Sequence, residues 1–375
     1  MKKILLGTTA LVTVGLLAGP ALASDPLKVT VGGNVVTGFY VIDADNAGAY
    51  KFQSTKVALV ARNIDIKAEG TLDNGMTAGV DAKLQLGNDW SGVYTGNNTT
   101  NTGPWASFRQ LYAYLEGGFG RFEIGGTDGA SYKMHYTSPW FVPGNGVDSP
   151  NIYNGHGVVR ASTFSLLATD SNKVSYFTPR LAGFQLGLSY TPDTTQGFGS
   201  NPHNGPLANG LGLSLKDVGV QNVTEAAVNY AGTWGAVDVG ADAFWTKGSD
   251  FKPGNDPEEY GFGANLGYAG FTLGGAWYKG KETVSAGSAT TGTGSKVWTA
   301  GLKYATGPWT VGIAYLKGEG TGFASGAENQ SWQTGGGYNL GSGVDVGLDL
   351  QLNKLDTGTT TLDAKSAGLV LAIAF

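Results

Sequence analysis

Apolar and polar positions trade places with a period of two along almost the whole chain. That is the period of a β-strand, whose successive side chains point to opposite faces. The clearest run puts Val344, Val346, Leu348, Leu350 and Leu352 on one parity and Asp345, Gly347, Asp349, Gln351 and Asn353 on the other. Met76, Ala78, Val80, Ala82, Leu84 and Leu86 oppose Thr77, Asp81, Lys83 and Gln85 in the same way. The final stretch sets Leu369, Leu371, Ile373 and Phe375 on a large apolar face and Gly368, Val370, Ala372 and Ala374 on a small one. A large face suits lipid and a small one suits a confined interior.

Sixteen such segments follow one another: 28–42, 57–69, 76–86, 108–116, 121–126, 173–178, 184–191, 223–231, 236–245, 259–268, 271–279, 296–306, 309–317, 329–339, 344–354 and 363–375. Short turns such as Asp73-Asn74-Gly75, Ala269-Gly270 and Gly307-Pro308 alternate with polar connections, several of them long. An apolar strand at the open edge of a soluble sheet invites aggregation, and an open edge in hydrocarbon leaves backbone groups unpaired. Closure meets both demands. The pattern predicts an all-β fold, a transmembrane antiparallel β-barrel of about 16 strands with short periplasmic turns and long external loops. A soluble sandwich with a buried last strand is the competing fold, but it gives no reason for the long loops to gather at one end. Tyr40, Tyr190, Trp245, Tyr260, Tyr268, Phe271, Trp277, Tyr304, Trp309, Tyr315, Trp332 and Tyr338 cluster near segment ends, as rings at headgroup level would.

Composition narrows the class further. Lys2 and Lys3, the apolar run from Ile4 to Ala18 and the small-x-small site Ala21-Leu22-Ala23 make residues 1–23 a cleavable export signal. Residues 24–375 are then the barrel domain. Without Lys2 and Lys3 the chain has 22 basic against 29 acidic residues, a net charge of −7, which argues against a nucleic-acid partner. There is no cysteine, hence no disulfide or thiolate metal site, and no cofactor is expected. Glycine, at 62 residues, is more than twice the usual share of about 7%, as many short strands and tight turns require.

Four features resemble a family. They are the export signal; the terminal strand ending in Phe375; Arg109-Gln110-Leu111-Tyr112-Ala113-Tyr114-Leu115-Glu116 followed by Gly118-Phe119-Gly120-Arg121-Phe122-Glu123-Ile124-Gly125; and Val174-Ser175-Tyr176-Phe177-Thr178-Pro179 leading to Ala182-Gly183-Phe184. Together these resemble the general diffusion porins of Gram-negative outer membranes, closest in style to the alphaproteobacterial ones. The resemblance implies a sixteen-stranded outer-membrane barrel, a homotrimer, and a third loop folded inward to narrow each pore. It also implies that the terminal residues Leu371, Ile373 and Phe375 are read by the barrel-assembly machinery, with Ile373 standing where Tyr is commoner.

The connection 127–171 is the expected functional element, because a loop of about 45 residues without periodicity is rarely idle. It carries Asp128, His135, Asp148, His156, Arg160 and Asp170, with Tyr132, Tyr136, Trp140, Phe141 and Tyr153. In the family, loop carboxylates face basic wall residues across the constriction, and opposed charges select permeants. The candidate constriction residues are therefore Lys83, Arg109, Asp128, Asp148 and Arg160. Arg62 has the parity of Ile64 and Ile66 and is the candidate for a subunit interface. The expected activity is passive diffusion of ions and small hydrophilic solutes, weakly cation-selective, with outer-membrane lipid around the barrel. Two alternatives stand beside it. One is a substrate-selective porin, in which loop aromatics stack a sugar. The other is a barrel hydrolase, although His135, His156 and His203 all lie in loops and no Gly-x-Ser-x-Gly or His-Glu-x-x-His occurs.

Overall fold

The computed structural model describes residues 27–45, 54–86, 106–148, 161–194, 196, 220–250, 256–281, 295–320 and 327–375. The signal segment, Tyr153, His156, Arg160 and His203 lie outside them. Sixteen strands form one closed antiparallel barrel: β1 (Lys28–Ala44), β2 (Thr55–Thr71), β3 (Thr77–Leu86), β4 (Ala106–Gly117), β5 (Gly120–Gly126), β6 (Asn172–Phe177), β7 (Phe184–Asp193), β8 (Val220–Trp234), β9 (Val237–Asp250), β10 (Glu258–Tyr268), β11 (Phe271–Lys281), β12 (Ser295–Thr306), β13 (Trp309–Glu319), β14 (Glu328–Gly341), β15 (Val344–Asp356) and β16 (Thr361–Ala374). Each strand pairs with its sequence neighbours, and β16 closes onto β1.

Closure follows the two-residue period. Leu369 of β16 lies opposite Phe39 of β1 and Leu348 of β15, and all three are exposed on the outer wall. Leu350 stands in the same outward row, opposite Thr334 and Ala367, while its neighbour Asp349 is fully buried inside. Phe375 finishes the seam, with its N–H donating to Gly33 O at 3.0 Å and its carbonyl accepting from Gly33 N at 2.9 Å. The hairpins β4–β5, β8–β9, β10–β11, β12–β13 and β14–β15 turn over two residues at the same end. Ala269 and Gly270, at φ 49° and 87°, form the two-residue turn whose twist matches the strands it joins.

The strands run a little further toward the long loops than the alternation predicts. β8 begins at Val220 and β9 continues to Asp250. Residues such as Lys247, Gly248 and Ser249 no longer alternate apolar with polar, as strand ends beyond the hydrocarbon would. There the ladder continues but no lipid demands an apolar face.

Outward aromatics form two girdles from β5 to β14. Phe271, Tyr304, Trp309 and Tyr338 lie toward the short turns; Tyr260, Trp277, Trp298, Tyr315 and Trp332 lie toward the long loops. Tyr40 is a correction to the girdle expected from sequence. It points inward, is 0% exposed, and donates to Asp349 at 3.0 Å.

Leu350→Lys is expected to lower unfolding stability by about 2–4 kcal/mol, the cost of a cation at the lipid-facing midplane. Urea unfolding in bilayers checks it, with Leu350→Val as the mild comparison. Removal of Phe375 is expected to slow barrel closure, read as a smaller heat-modifiable folded fraction at equal expression.

Candidate functional site

The third loop leaves β5 at Thr127 and returns to β6 at Ser171. Its two ends are tied together at the wall. The buried Lys173 ammonium donates to three backbone carbonyls, those of Thr127, Ala168 (2.6 Å) and Ser171 (2.8 Å). Arg109 Nε donates to Asp170 at 2.8 Å, and the Gln110 amide reaches both Asp128 (2.9 Å) and Asp170 (2.7 Å). Burial, with the Asp170 carboxylate beside it, pushes the Asp128 carboxyl above its ordinary value, against the pull of Arg109 and Lys173. Tyr132 in the loop is pushed up to about 12 by burial, with Asp128 adding to the effect.

From this stem the loop travels across the inward faces of the barrel. The short helix α1 (Ala130–Lys133) offers its first N–H groups to the wall: Ala130 N to Ser189 Oγ at 2.8 Å and Ser131 N to Glu225 at 3.0 Å. Asp242 then accepts from Tyr136 N at 2.7 Å and meets His135 Nδ1 at 3.0 Å, while Thr299 bonds Ser138 at 2.9 Å. On the returning limb Ser165 donates to Glu259 at 2.6 Å. At the far side Asn145 donates to Asp349 at 2.6 Å, and that carboxylate also accepts from Tyr40, Gln333 (2.9 Å) and Gln351 (2.8 Å).

Wall glycines make room for this path. A Cβ on Gly263 would sit 1.8 Å from the Tyr136 carbonyl oxygen, and one on Gly312 would sit 2.3 Å from the Phe141 ring. These glycines are sockets for the loop. Among the described residues, the loop's hydrogen bonds to the wall run from β4 to β15, and none of them engages Asp65, Lys67, Asp81 or Lys83 on the inward faces of β2 and β3. There the register sets Asp65 opposite Lys83 and Lys67 opposite Asp81.

The residues singled out from sequence divide accordingly. Lys83 faces the lumen on the uncovered wall, opposite Gln110. Arg109 and Asp128 come together at the loop stem, joined through Gln110 and Asp170. Arg109 was expected as a basic wall residue open to the pore. It is instead the extra residue of a bulge, because Lys83 pairs with Gln110 and Leu84 with Phe108, and its charge is met by Asp170. Asp148 was expected to face the pore. It is instead 0% exposed and turned into the loop, accepting from Thr137, from Ser162 (3.0 Å), and from the hydroxyl and N–H of Thr163 (3.0 Å for the N–H). A carboxylate with its acceptor sites filled this way pins the two limbs of the loop together. Leu371 and Ile373 face outward on β16, beside Val346 and Val344. Asp170, Lys173, Glu225 and Glu259 were not promoted by sequence reasoning. Their only signal was a charge on a lumen or loop position with no visible partner.

Asp349→Ala is expected to leave Tyr40, Asn145, Gln333 and Gln351 without their shared acceptor. Each buried donor so stranded costs about 1–3 kcal/mol. A lower urea midpoint together with noisier single-channel current, as the far end of the loop comes free, would report it.

A model of the Gram-negative porin family matches residues 7–358. A protein of Rickettsia bellii is 25% identical over 128 residues, 28% of this chain and 29% of that protein. One of Rickettsia felis is 26% identical over 151 residues, 34% of each. The matches thus span about a third of the length of these curated relatives. Among solved structures, the outer membrane channel DcaP of Acinetobacter baumannii aligns with a TM-score of 0.62 at 11% identity, over 93% of this chain and 98% of that one. Outer-membrane-expressed OmpT of Vibrio cholerae aligns at 0.59 and 13%, over 94% and 99%. A porin refined at 1.8 Å resolution aligns at 0.55 and 17%, over 93% and 100%. The match over nearly the whole chain, on a closed sixteen-strand barrel, makes this protein a member of the Gram-negative porin family, an outer-membrane β-barrel.

Proposed function

We propose that the protein is a passive diffusion channel for ions and small hydrophilic solutes, weakly cation-selective and assembled as a homotrimer. The observation that carries this reading is the third loop, whose described residues are hydrogen-bonded along the inner wall from β4 to β15 and engage none of the charges at positions 65, 67, 81 and 83 of β2 and β3. Such a loop narrows the lumen without filling it, and the solute path runs past Asp65, Lys67, Asp81 and Lys83. With Glu69, which bridges Lys67 at 2.6 Å, the face holds three acids against two bases, a near balance that keeps selectivity weak. The exposed Asp238 near the short-turn mouth and the acidic excess of the chain tip it toward cations.

The trimer reading rests on the outer wall. Outward residues of β15, β16 and β1 to β4 are mostly aliphatic, with Phe39, Phe108 and the terminal Phe375 as aromatic exceptions, and the aromatic girdles thin out at this sector. Arg62 shares this outward face, opposite Val35. A guanidinium against lipid is costly, so a neighbouring subunit is the better surrounding. A solved structure of in-vitro-folded Vibrio cholerae OmpT is of a trimer form.

Planar-bilayer recordings test the channel reading. Shortening the loop between Ala130 and Ala161 is expected to raise conductance and admit larger solutes. The zero-current potential in a salt gradient should move toward cations for Lys83→Ala and away from them for Asp81→Asn. Asp148→Asn, being buried within the loop, should leave it in place. Unchanged conductance in the shortened protein, or equal potentials for Lys83→Ala and Asp81→Asn, would place the constriction elsewhere.

A further inference from the structure

On the long-loop side, the outward face of β9 to β12 ends in four lysines. Lys279 and Lys296 stand directly opposite one another in the β11–β12 ladder. Lys247 and Lys281 flank Glu258 from either side. The same face carries the outer girdle. Tyr260 lies opposite Lys279, whose ammonium is 5.8 Å from that ring's centre, and Trp277 lies opposite Trp298 one row deeper. The lysines therefore sit where the girdle meets the headgroups of the outer leaflet, their stems against rings and their ammonium groups toward water.

The neighbouring sector handles its cations differently. Lys317 is bridged by Glu319 at 3.3 Å and Glu328 at 3.0 Å. Lys354 stands opposite Asp363, and Lys365 opposite Asp43. On β9 to β12 the outward acid is Glu258, already accepting from Trp245 Nε1 at 2.8 Å, with Asp256 in the connection just before it; Glu319 of β13 stands opposite Lys296 but bridges Lys317. Among the described residues, none of the four lysines forms an ion pair. Like charges directly opposite across a ladder destabilise it. An anion between Lys279 and Lys296 removes that cost.

We propose that this face docks a membrane lipid with a phosphorylated, anionic headgroup. Its phosphoryl group lies between Lys279 and Lys296, and its acyl chains lie along Trp277 and Trp298. A lipid fits better than free phosphate because the apolar rings continue directly below the charges, so one molecule satisfies both.

The test uses the full-length protein reconstituted in phosphatidylcholine bilayers, with trace spin-labelled phosphatidic acid or spin-labelled phosphatidylcholine. The motionally restricted fraction of each label gives their relative affinity. Wild type is expected to prefer phosphatidic acid by roughly five-fold for each lysine engaged. Lys279→Gln/Lys296→Gln is expected to abolish most of that preference. Lys279→Arg/Lys296→Arg and the control Lys354→Gln/Lys365→Gln are expected to keep it, all with normal heat-modifiable migration. Salt of about 1 M should weaken the wild-type preference, since it shortens the screening length to roughly 3 Å. Inorganic phosphate in the buffer should not displace the lipid. Equal preference in wild type and the Lys279→Gln/Lys296→Gln variant overturns the proposal. So does an equal loss in the control, a preference indifferent to salt, or displacement by inorganic phosphate.

Discussion

Hydrocarbon offers no partner to a backbone N–H or C=O, and the rest of this structure descends from that constraint. Every strand at membrane depth must be paired on both sides, so the sheet has to close, and β16 meets β1 through Gly33 and Phe375. Closure with a period of two gives each strand one face for lipid and one for the interior. Sixteen strands enclose an interior too wide for side chains to fill. The polar inward faces then need either water or a second layer of protein, and the third loop supplies that layer over part of the circumference.

Holding an irregular loop inside a barrel raises a second problem of unpaired backbone. The solution here is to use carboxylates on both partners. Glu225, Asp242 and Asp349 reach from the wall to loop N–H or side-chain donors, and Asp128 and Asp170 reach back to Gln110 and Arg109. A buried charge without such partners would cost several kcal/mol. Asp349 shows how densely they are supplied, with four donors from β1, β14, β15 and the loop. The glycines opposite Tyr136 and Phe141 belong to the same solution, because a loop can reach these carboxylates only by pressing its backbone against the wall.

The strands were legible because alternation is the direct imprint of a wall with two different sides. Their outer ends were less so, since above the lipid both faces are wet and the imprint fades. Tyr40 read as a girdle residue because an aromatic near a strand end looks the same from either side; only its register against Gly368 puts it inside. Arg109 was read as an inward cation and does meet a loop carboxylate, but the bulge that seats it against Asp170 at the loop stem leaves no mark in the hydrophobic pattern. The loop's anchors were the least legible part. Asn145 and Asp349 are 204 positions apart, and nothing in either neighbourhood announces the other. The length of the loop was visible, but not where it would rest.

The same reasoning limits what composition says about a pore. This chain is acidic, and many of its acids lie on the inside of the barrel. Yet Asp128, Asp148, Asp170, Glu225, Asp242, Glu259 and Asp349 are all engaged at the loop–wall seam or within the loop. Their fields are spent on donors about 3 Å away and reach the water only weakly. On the proposed solute path a passing ion meets the charges of β2 and β3, where Asp65 stands opposite Lys83, Lys67 opposite Asp81, and Glu69 bridges Lys67. Alternating charges a few ångströms apart cancel at a distance of about one Debye length, roughly 8 Å in physiological salt. Only a solute brought close by a narrow lumen senses them singly. The position of the loop therefore decides the electrostatics as well as the bore: it hides most of the carboxylates and brings the solute near the few charges that remain.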